Sequence, residues 1–249
     1  MVLAERMKVA LFVTCLVDQI CPEVGMAAVE VLERAGCEVE FDARQTCCGQ
    51  PAFNTGYRDE AREFAKRWIG IFESSDAEAI VSPSGSCTAM VRHFAELFAD
   101  DEEWRQRAES IACRTYEFTE FLVDVLKTDD VGSSFEGKLT WHDACHALRD
   151  LGVRDAPRRL LGNVKGAELI EHVGADECCG FGGTFSVKYA EISAAIADRK
   201  TDNIEASGAS VVAACDASCL MQIGGRLGAR GSKVRALHIA EVLASRKEG

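Results

Sequence analysis

Three cysteine anchors recur along this chain at almost constant displacement, and they restrict its fold more than any other feature. Cys15 returns as Cys145 after 130 residues, Cys47-Cys48-Gly49 as Cys178-Cys179-Gly180 after 131, and Cys87 as Cys219 after 132. A drift of two residues over three anchors marks an internal duplication. The 249 residues therefore divide into a first half, 1–130, and a second, 131–249, joined through the polar Thr128–Gly137 stretch. Each half is long enough to bury a core of its own.

The apolar pattern repeats with the cysteines. Val9–Val13 and Lys138–His142 read as opening strands that run into Cys15 and Cys145. Cys37–Phe41 and Ala167–Ile170 read as second strands, and Ala79–Val81 and Val211–Ala214 as third strands. Helical spacing predicts helices over Val24–Ala35, Asp59–Ser74, Ser84–Phe98, Asp155–Leu161 and Ser186–Ala206, with Phe64, Trp68, Ile71 and Phe72 facing inward in the second of these. Thr115-Tyr116 with a Phe118–Lys127 helix closes the first half, as Val234–Leu237 with Ile239–Ser245 closes the second. The expectation is an α/β protein of two similar Rossmann-like halves, with mainly parallel sheets, related by internal duplication and a pseudo-twofold axis. Ligands of such sheets gather beyond the carboxyl ends of the strands, where Cys15, Cys145 and Cys215 fall.

Twelve cysteines would form a disulfide framework in a small secreted protein. Here the helical and stranded pattern already supplies a core, which favours thiolate ligation of a metal or cluster. The second half offers Cys145, Cys178, Cys179, Cys215 and Cys219, more thiols than a four-coordinate structural zinc needs and suited to an iron–sulfur cluster. Adjacent side chains of a strand point to opposite faces, so Cys178 and Cys179 reach one cluster only from a turn. Gly180 permits that turn through positive φ, and Gly182 and Gly183 let the backbone approach closely and offer N–H groups. Cys219 is expected in the first turn of a helix, where the dipole favours a thiolate. The first half offers Cys15, Cys47, Cys48 and Cys87, with Pro83 at the place of Cys215. Four thiols suit a [4Fe–4S] cluster, zinc, or a site that has lost its metal, so the second half is the better candidate for a cluster.

Other residues have plainer readings. Cys37 and Cys113 lack partners in the repeat and read as buried, small apolar residues, and Cys21, ahead of Pro22, as structural. A disulfide between Cys178 and Cys179 is the alternative to ligation there. His142 and His146 flank Cys145 and are the candidates for catalytic proton transfer; His93, His172 and His238 belong to no constellation. Gly180-Phe181-Gly182-Gly183 follows the wrong strand for a dinucleotide loop, and no Walker or zinc-protease motif is present. The net charge of −12 excludes a phosphate-backbone partner, and no apolar run reaches the length of a membrane span. Met1–Ala10 runs straight into the first strand, so the expectation is a chain without a leader, in the cytoplasm.

With these motifs assembled, the chain resembles the cysteine-rich CCG-domain family of iron–sulfur proteins, which includes the B subunit of heterodisulfide reductase and the iron–sulfur subunit of glycolate oxidase. The resemblance rests on Thr46–Pro51, Trp141–His146, Cys178–Phe185 and Asp216–Met221, and it covers nearly the whole chain. It implies an electron-transfer subunit of a cytoplasmic multi-protein system that oxidises L-lactate to pyruvate. The companions it implies are a ferredoxin-like iron–sulfur protein and a third small protein. The alternatives are a subunit of the same kind for glycolate or a thiol pair, and a zinc-bound scaffold without redox role. Heterodisulfide reductase relatives hold non-cubane clusters on two sets of five cysteines. Pro83 departs from that arrangement in the first half, and the three-residue gap between Cys215 and Cys219 departs from it in the second.

Overall fold

The structure is a computed structural model that describes residues 6–246, so the first five residues of the Met1–Ala10 segment lie outside it. The first half runs β1 (Lys8–Leu11), α1 (Cys15–Ile20), α2 (Pro22–Arg34), β2 (Glu38–Glu40), α3 (Gln50–Thr55), α4 (Arg58–Glu73), β3 (Ala79–Ser82), α5 (Gly85–Arg92), α6 (Phe94–Leu97), α7 (Glu102–Ala112), β4 (Thr115–Glu117) and α8 (Phe118–Glu120), which passes into a π-helical turn over Phe121–Val125. The second half runs β5 (Ser134–Trp141), α9 (Cys145–Arg149), α10 (Asp155–Gly162), β6 (Lys165–Leu169), α11 (Thr184–Lys188), α12 (Ala190–Ala206), β7 (Val211–Ala214), α13 (Ala217–Ala229), β8 (Arg235–His238) and α14 (Ile239–Ala244).

Each half builds one four-stranded, all-parallel sheet, in the order β2-β1-β3-β4 and β6-β5-β7-β8. The central strands are apolar without alternation because both faces are covered: Val9, Ile80, Val81 and all of β7 are buried. The edge strands β2 and β6 carry Glu38, Glu40, Lys165 and Glu168 instead, charges that discourage pairing with another chain. In both sheets the order reverses between the first and third strands. A crevice opens there at their carboxyl ends.

The halves share a core. One buried cluster joins Val9, Leu11 and Phe121 of the first half to Leu139, Trp141 and Val212 of the second. A second cluster belongs to the first half alone and is strongly aromatic, with Phe12 edge-on to Trp68 at 5.2 Å and to Phe72 at 5.6 Å. The junction is self-complementary. Gly85, at the start of α5, lies so close to α9 that a Cβ there would stand 2.4 Å from the Cβ of Ala147. Their repeat equivalents, Ala217 and Val17, pack together in the same way. Contacts exchanged between equivalent positions are what a pseudo-twofold axis requires.

Several elements differ from the sequence-based expectation. The strand expected to open at Lys138 begins at Ser134, within the polar joining stretch. Its pairing with β6 is interrupted between Ser134 and Gly137, and Gly137 has φ 132°, so a bulge breaks the alternation. The helices expected over Ser84–Phe98 and Ser186–Ala206 each divide, near His93 and Tyr189. Helix α7 carries seven polar or charged residues in eleven, and two of its four apolar residues are alanine, which hid it. Trp68, Ile71 and Phe72 face inward as expected, whereas Phe64 is 39% exposed and lies over the backbone of Gly49.

Candidate metal centre

Both vicinal cysteine pairs sit in turns of the same construction. Gly49 and Gly180 have φ of 83° and 91°, and each donates its N–H to the sulfur of the first cysteine of its pair, at 3.4 Å to Cys47 and 3.3 Å to Cys178. Each glycine is also pressed against the second helix downstream of it, Gly49 against α4 and Gly180 against α12. A Cβ on Gly180 would lie 2.6 Å from the carbonyl oxygen of Ser193, and one on Gly49 would lie 2.9 Å from Cβ of Phe64. The turn therefore needs glycine for both its conformation and its space.

The remaining thiols come from the starts of the helices that leave the first and third strands. Cys15 and Cys145 open α1 and α9, and Cys87 and Cys219 occupy the first turns of α5 and α13. In each half the four sulfurs form a chain of contacts. Cys15 lies 3.6 Å from Cys47, and Cys48 links Cys47 to Cys87. Cys178 links Cys145 to Cys179, and Cys179 lies 3.3 Å from Cys219. Donation from Cys15, Cys48 and the Gly49 N–H holds Cys47 well below the usual thiol range. Cys145, Cys179 and the Gly180 N–H do the same for Cys178. These same contacts and burial push Cys15, Cys48, Cys145 and Cys179 up, so in each half a thiolate is favoured at the first cysteine of the vicinal pair.

All eight of these cysteines line one cavity of about 280 Å³ between the halves, together with His146, Gly182 and Gly183. Cys215 is not among the lining residues. It lies buried in the core with its sulfur toward Asp216, and burial pushes its thiol up. The backbone explains its position. The carbonyls of Cys215 and of its repeat equivalent Pro83 both accept from Nε2 of His238, at 2.9 and 3.1 Å. The structure thus brings together four matching thiols in each half, and the first half is not the poorer one.

The two histidines beside Cys145 part company. His146 lines the cavity and is half-exposed, with Nδ1 2.6 Å from the carboxylate of Asp150. His142 is fully buried, and neither ring nitrogen has a hydrogen-bond partner among the described residues. Its ring nitrogen lies within 4.8 Å of the sulfurs of Cys179 and Cys219. Burial, reinforced by the Lys200 ammonium, drives its pKa down to about 3 and keeps the imidazole neutral. His172 is likewise lowered to about 4 by burial, and its Nδ1 meets the Thr140 hydroxyl at 2.9 Å.

Two residues of the centre were given no role by the sequence. Lys200 is buried in α12, and its ammonium donates to the carbonyls of Gly174 and Ala175. It stands close enough to Cys179, Cys145 and Cys219 to feel their charge. Asp216 precedes α13 but turns its carboxylate across the junction to the start of α5. There it accepts from the hydroxyls of Ser84 at 2.6 Å and Ser86 at 2.7 Å and from the Ser86 N–H at 3.2 Å. Ser84 is its own repeat equivalent, so the two halves are tied at matching points. A set of adjacent thiols with one polarised thiolate in each half, and a buried imidazole without a partner in one of them, fits a metal ion or a metal–sulfur cluster.

A duplicated parallel fold with paired cysteines at its strand ends has a family counterpart. The sequence profile of CCG, the cysteine-rich domain, matches residues 9–92 and again 139–224, so the chain belongs to that family and carries two copies of its domain. The chain is 54% identical over 235 residues to lactate utilization protein A of Exiguobacterium sp., covering 94% of this chain and 96% of that one. To lactate utilization protein A of Bacillus subtilis it is 52% identical over 240 residues, covering 96% and 100%. Among solved structures, a hypothetical protein from Helicobacter pylori shares the fold at a TM-score of 0.64 and 10% identity, over 98% of this chain and 50% of that chain. Among the described residues, no helix is long and apolar enough to cross a membrane.

Proposed function

We propose that this chain is the iron–sulfur electron-transfer subunit of a cytoplasmic system that oxidises L-lactate to pyruvate. A ferredoxin-like iron–sulfur protein and a third small protein are its proposed companions. The observation that carries the reading is the cavity on which two matching four-thiol sets converge, in a chain whose relatives over nearly its full length are named for lactate utilization. Cys15, Cys47, Cys48 and Cys87 would hold one [4Fe–4S] cluster, and Cys145, Cys178, Cys179 and Cys219 would supply the thiolates of a second iron–sulfur cluster. Such clusters supply one-electron transfer. The chain's own residues fix the thiolates, cover them with the two glycine turns, and present an imidazole that can move a proton at the cavity. That side chain is His146, oriented by the Asp150 carboxylate.

Anaerobic purification with iron, sulfide and zinc analysis tests the reading. Iron and sulfide that are reduced by lactate in the presence of the companion proteins support it. A zinc-loaded, iron-free protein that resists reconstitution identifies a scaffold instead. Reduction by glycolate or by a thiol, and not by lactate, reassigns the substrate.

A further inference from the structure

The two halves repeat their cysteines but not what stands beneath them. The displacement of 130 residues that relates Cys145 to Cys15 also relates His142 to Phe12. In the first half the phenyl ring of Phe12 is fully buried against Trp68 and Phe72, an apolar floor that offers no ligand. In the second half the imidazole takes the same place, with both nitrogens unpartnered among the described residues and one of them grouped with the sulfurs of Cys179 and Cys219. Leaving two such atoms buried without partners is costly, and a site that tolerates this has a use for one of them.

We propose that His142 is a nitrogen ligand of the second site, binding one metal together with Cys179 and Cys219. The second site is then a mixed thiolate–imidazole centre, and the first is all-thiolate. This rests on the reading of both thiol sets as metal sites and goes beyond it in distinguishing the two. The spacing supports it. Ligands at about 2.3 Å for sulfur and about 2.0 Å for nitrogen around one tetrahedral metal lie roughly 3.5–3.8 Å from each other. The three atoms here fall within 4.8 Å of one another, and the two sulfurs are 3.3 Å apart. The immediate surroundings agree, since Lys200 places a buried ammonium near the same thiols. A neutral imidazole adds a ligand without adding negative charge, and a buried cation beside an iron–sulfur centre raises its reduction potential. The second site therefore holds the higher potential, and an electron that enters the first passes to the second.

The full-length protein is purified anaerobically after labelling its histidines with nitrogen-15, and the reduced form is read by pulsed paramagnetic resonance. The expected result is a nitrogen hyperfine coupling that changes with the isotope and disappears in His142→Gln. His142→Cys, which returns a thiolate to the same place, should keep its iron and move one of two redox transitions to lower potential. Iron and sulfide present without a histidine coupling, or with a coupling that survives His142→Gln, overturns the assignment. A protein without iron defeats the electron-transfer reading alone. Cobalt(II) added to that same protein then reads the ligand set, and a visible spectrum that His142→Gln leaves unchanged overturns the assignment independently.

Discussion

At the scale of single residues, the vicinal turn separates glycines that a sequence cannot rank. Gly180 has positive φ and an adjacent backbone carbonyl, whereas Gly183 has positive φ, at 64°, and open space around it. Gly183 pairs its positive φ with ψ −117°, outside the left-handed helical region, so a Cβ there meets a conformational penalty of about 1–3 kcal/mol and no clash. At Gly180 it must also displace α12, so Gly180→Ala is expected to cost roughly 3 kcal/mol or more. Thermal unfolding of the metal-free protein checks this, with a larger fall in Tm for Gly180→Ala than for Gly183→Ala. The requirement at Gly180 for a turn was legible, because two adjacent thiols cannot share a target from a strand. The closeness of Ser193 was not, because it depends on a helix thirteen residues further on. At the cavity, His146→Gln should lower lactate-dependent turnover about 10- to 100-fold, with iron content unchanged. Normal turnover in that variant would remove His146 from proton transfer.

Among the elements, the link between α5 and α13 holds both thiol sets to one cavity. Asp216 is 2% exposed and accepts hydrogen bonds from Ser84 and Ser86, so removing its carboxylate leaves buried donors without partners. Asp216→Ala is expected to destabilise the protein by about 2–4 kcal/mol. Because α5 carries Cys87 and α13 carries Cys219, metal content should fall in both halves rather than in the second alone. Metal analysis of variants that keep only one thiol set reads this directly. Loss confined to the second set would show that the link serves α13 only. The strands and principal helices were legible here, since buried parallel strands are uniform apolar runs and α2, α4 and α12 keep helical spacing. The breaks near His93 and Tyr189, the bulge that starts β5 early and the polar α7 were not, because each is settled by packing against the opposite half or a neighbouring helix. Cys215 illustrates the same limit. Its spacing from Cys219 suited a ligand, yet its carbonyl is claimed by His238, and the thiol is turned into the core.

Taken as one molecule, the duplication has placed two different titratable groups at equivalent positions of the shared junction. Glu117 ends β4 and caps α8 as His238 ends β8 and caps α14, each with a reciprocal capping box. His238 is satisfied by the carbonyls of Pro83 and Cys215 and by the N–H of Ala240. Glu117 is fully buried; one carboxylate oxygen accepts from Thr119 and Glu120, and the other has no partner among the described residues. Burial raises its pKa from the usual 4.5 to about 7. The folded protein therefore keeps this proton at pH values where the unfolded chain has lost it. The stabilisation from Glu117 is fully present below about pH 4.5, declines as pH rises toward 7, and is gone above that. The shift corresponds to roughly 3 kcal/mol. The depressed pKa values of His142 and His172 act oppositely, since the unfolded chain binds protons near pH 6 that these buried rings refuse. The Glu117 contribution is thus isolated only by difference. Relative to Glu117→Gln, which keeps an acceptor oxygen but cannot ionise, the metal-free wild-type protein should lose roughly 3 kcal/mol of stability between pH 4.5 and 7.5. Denaturant unfolding across that range measures it, and parallel curves for the two proteins would show that the Glu117 carboxyl titrates alike in the folded and unfolded chain.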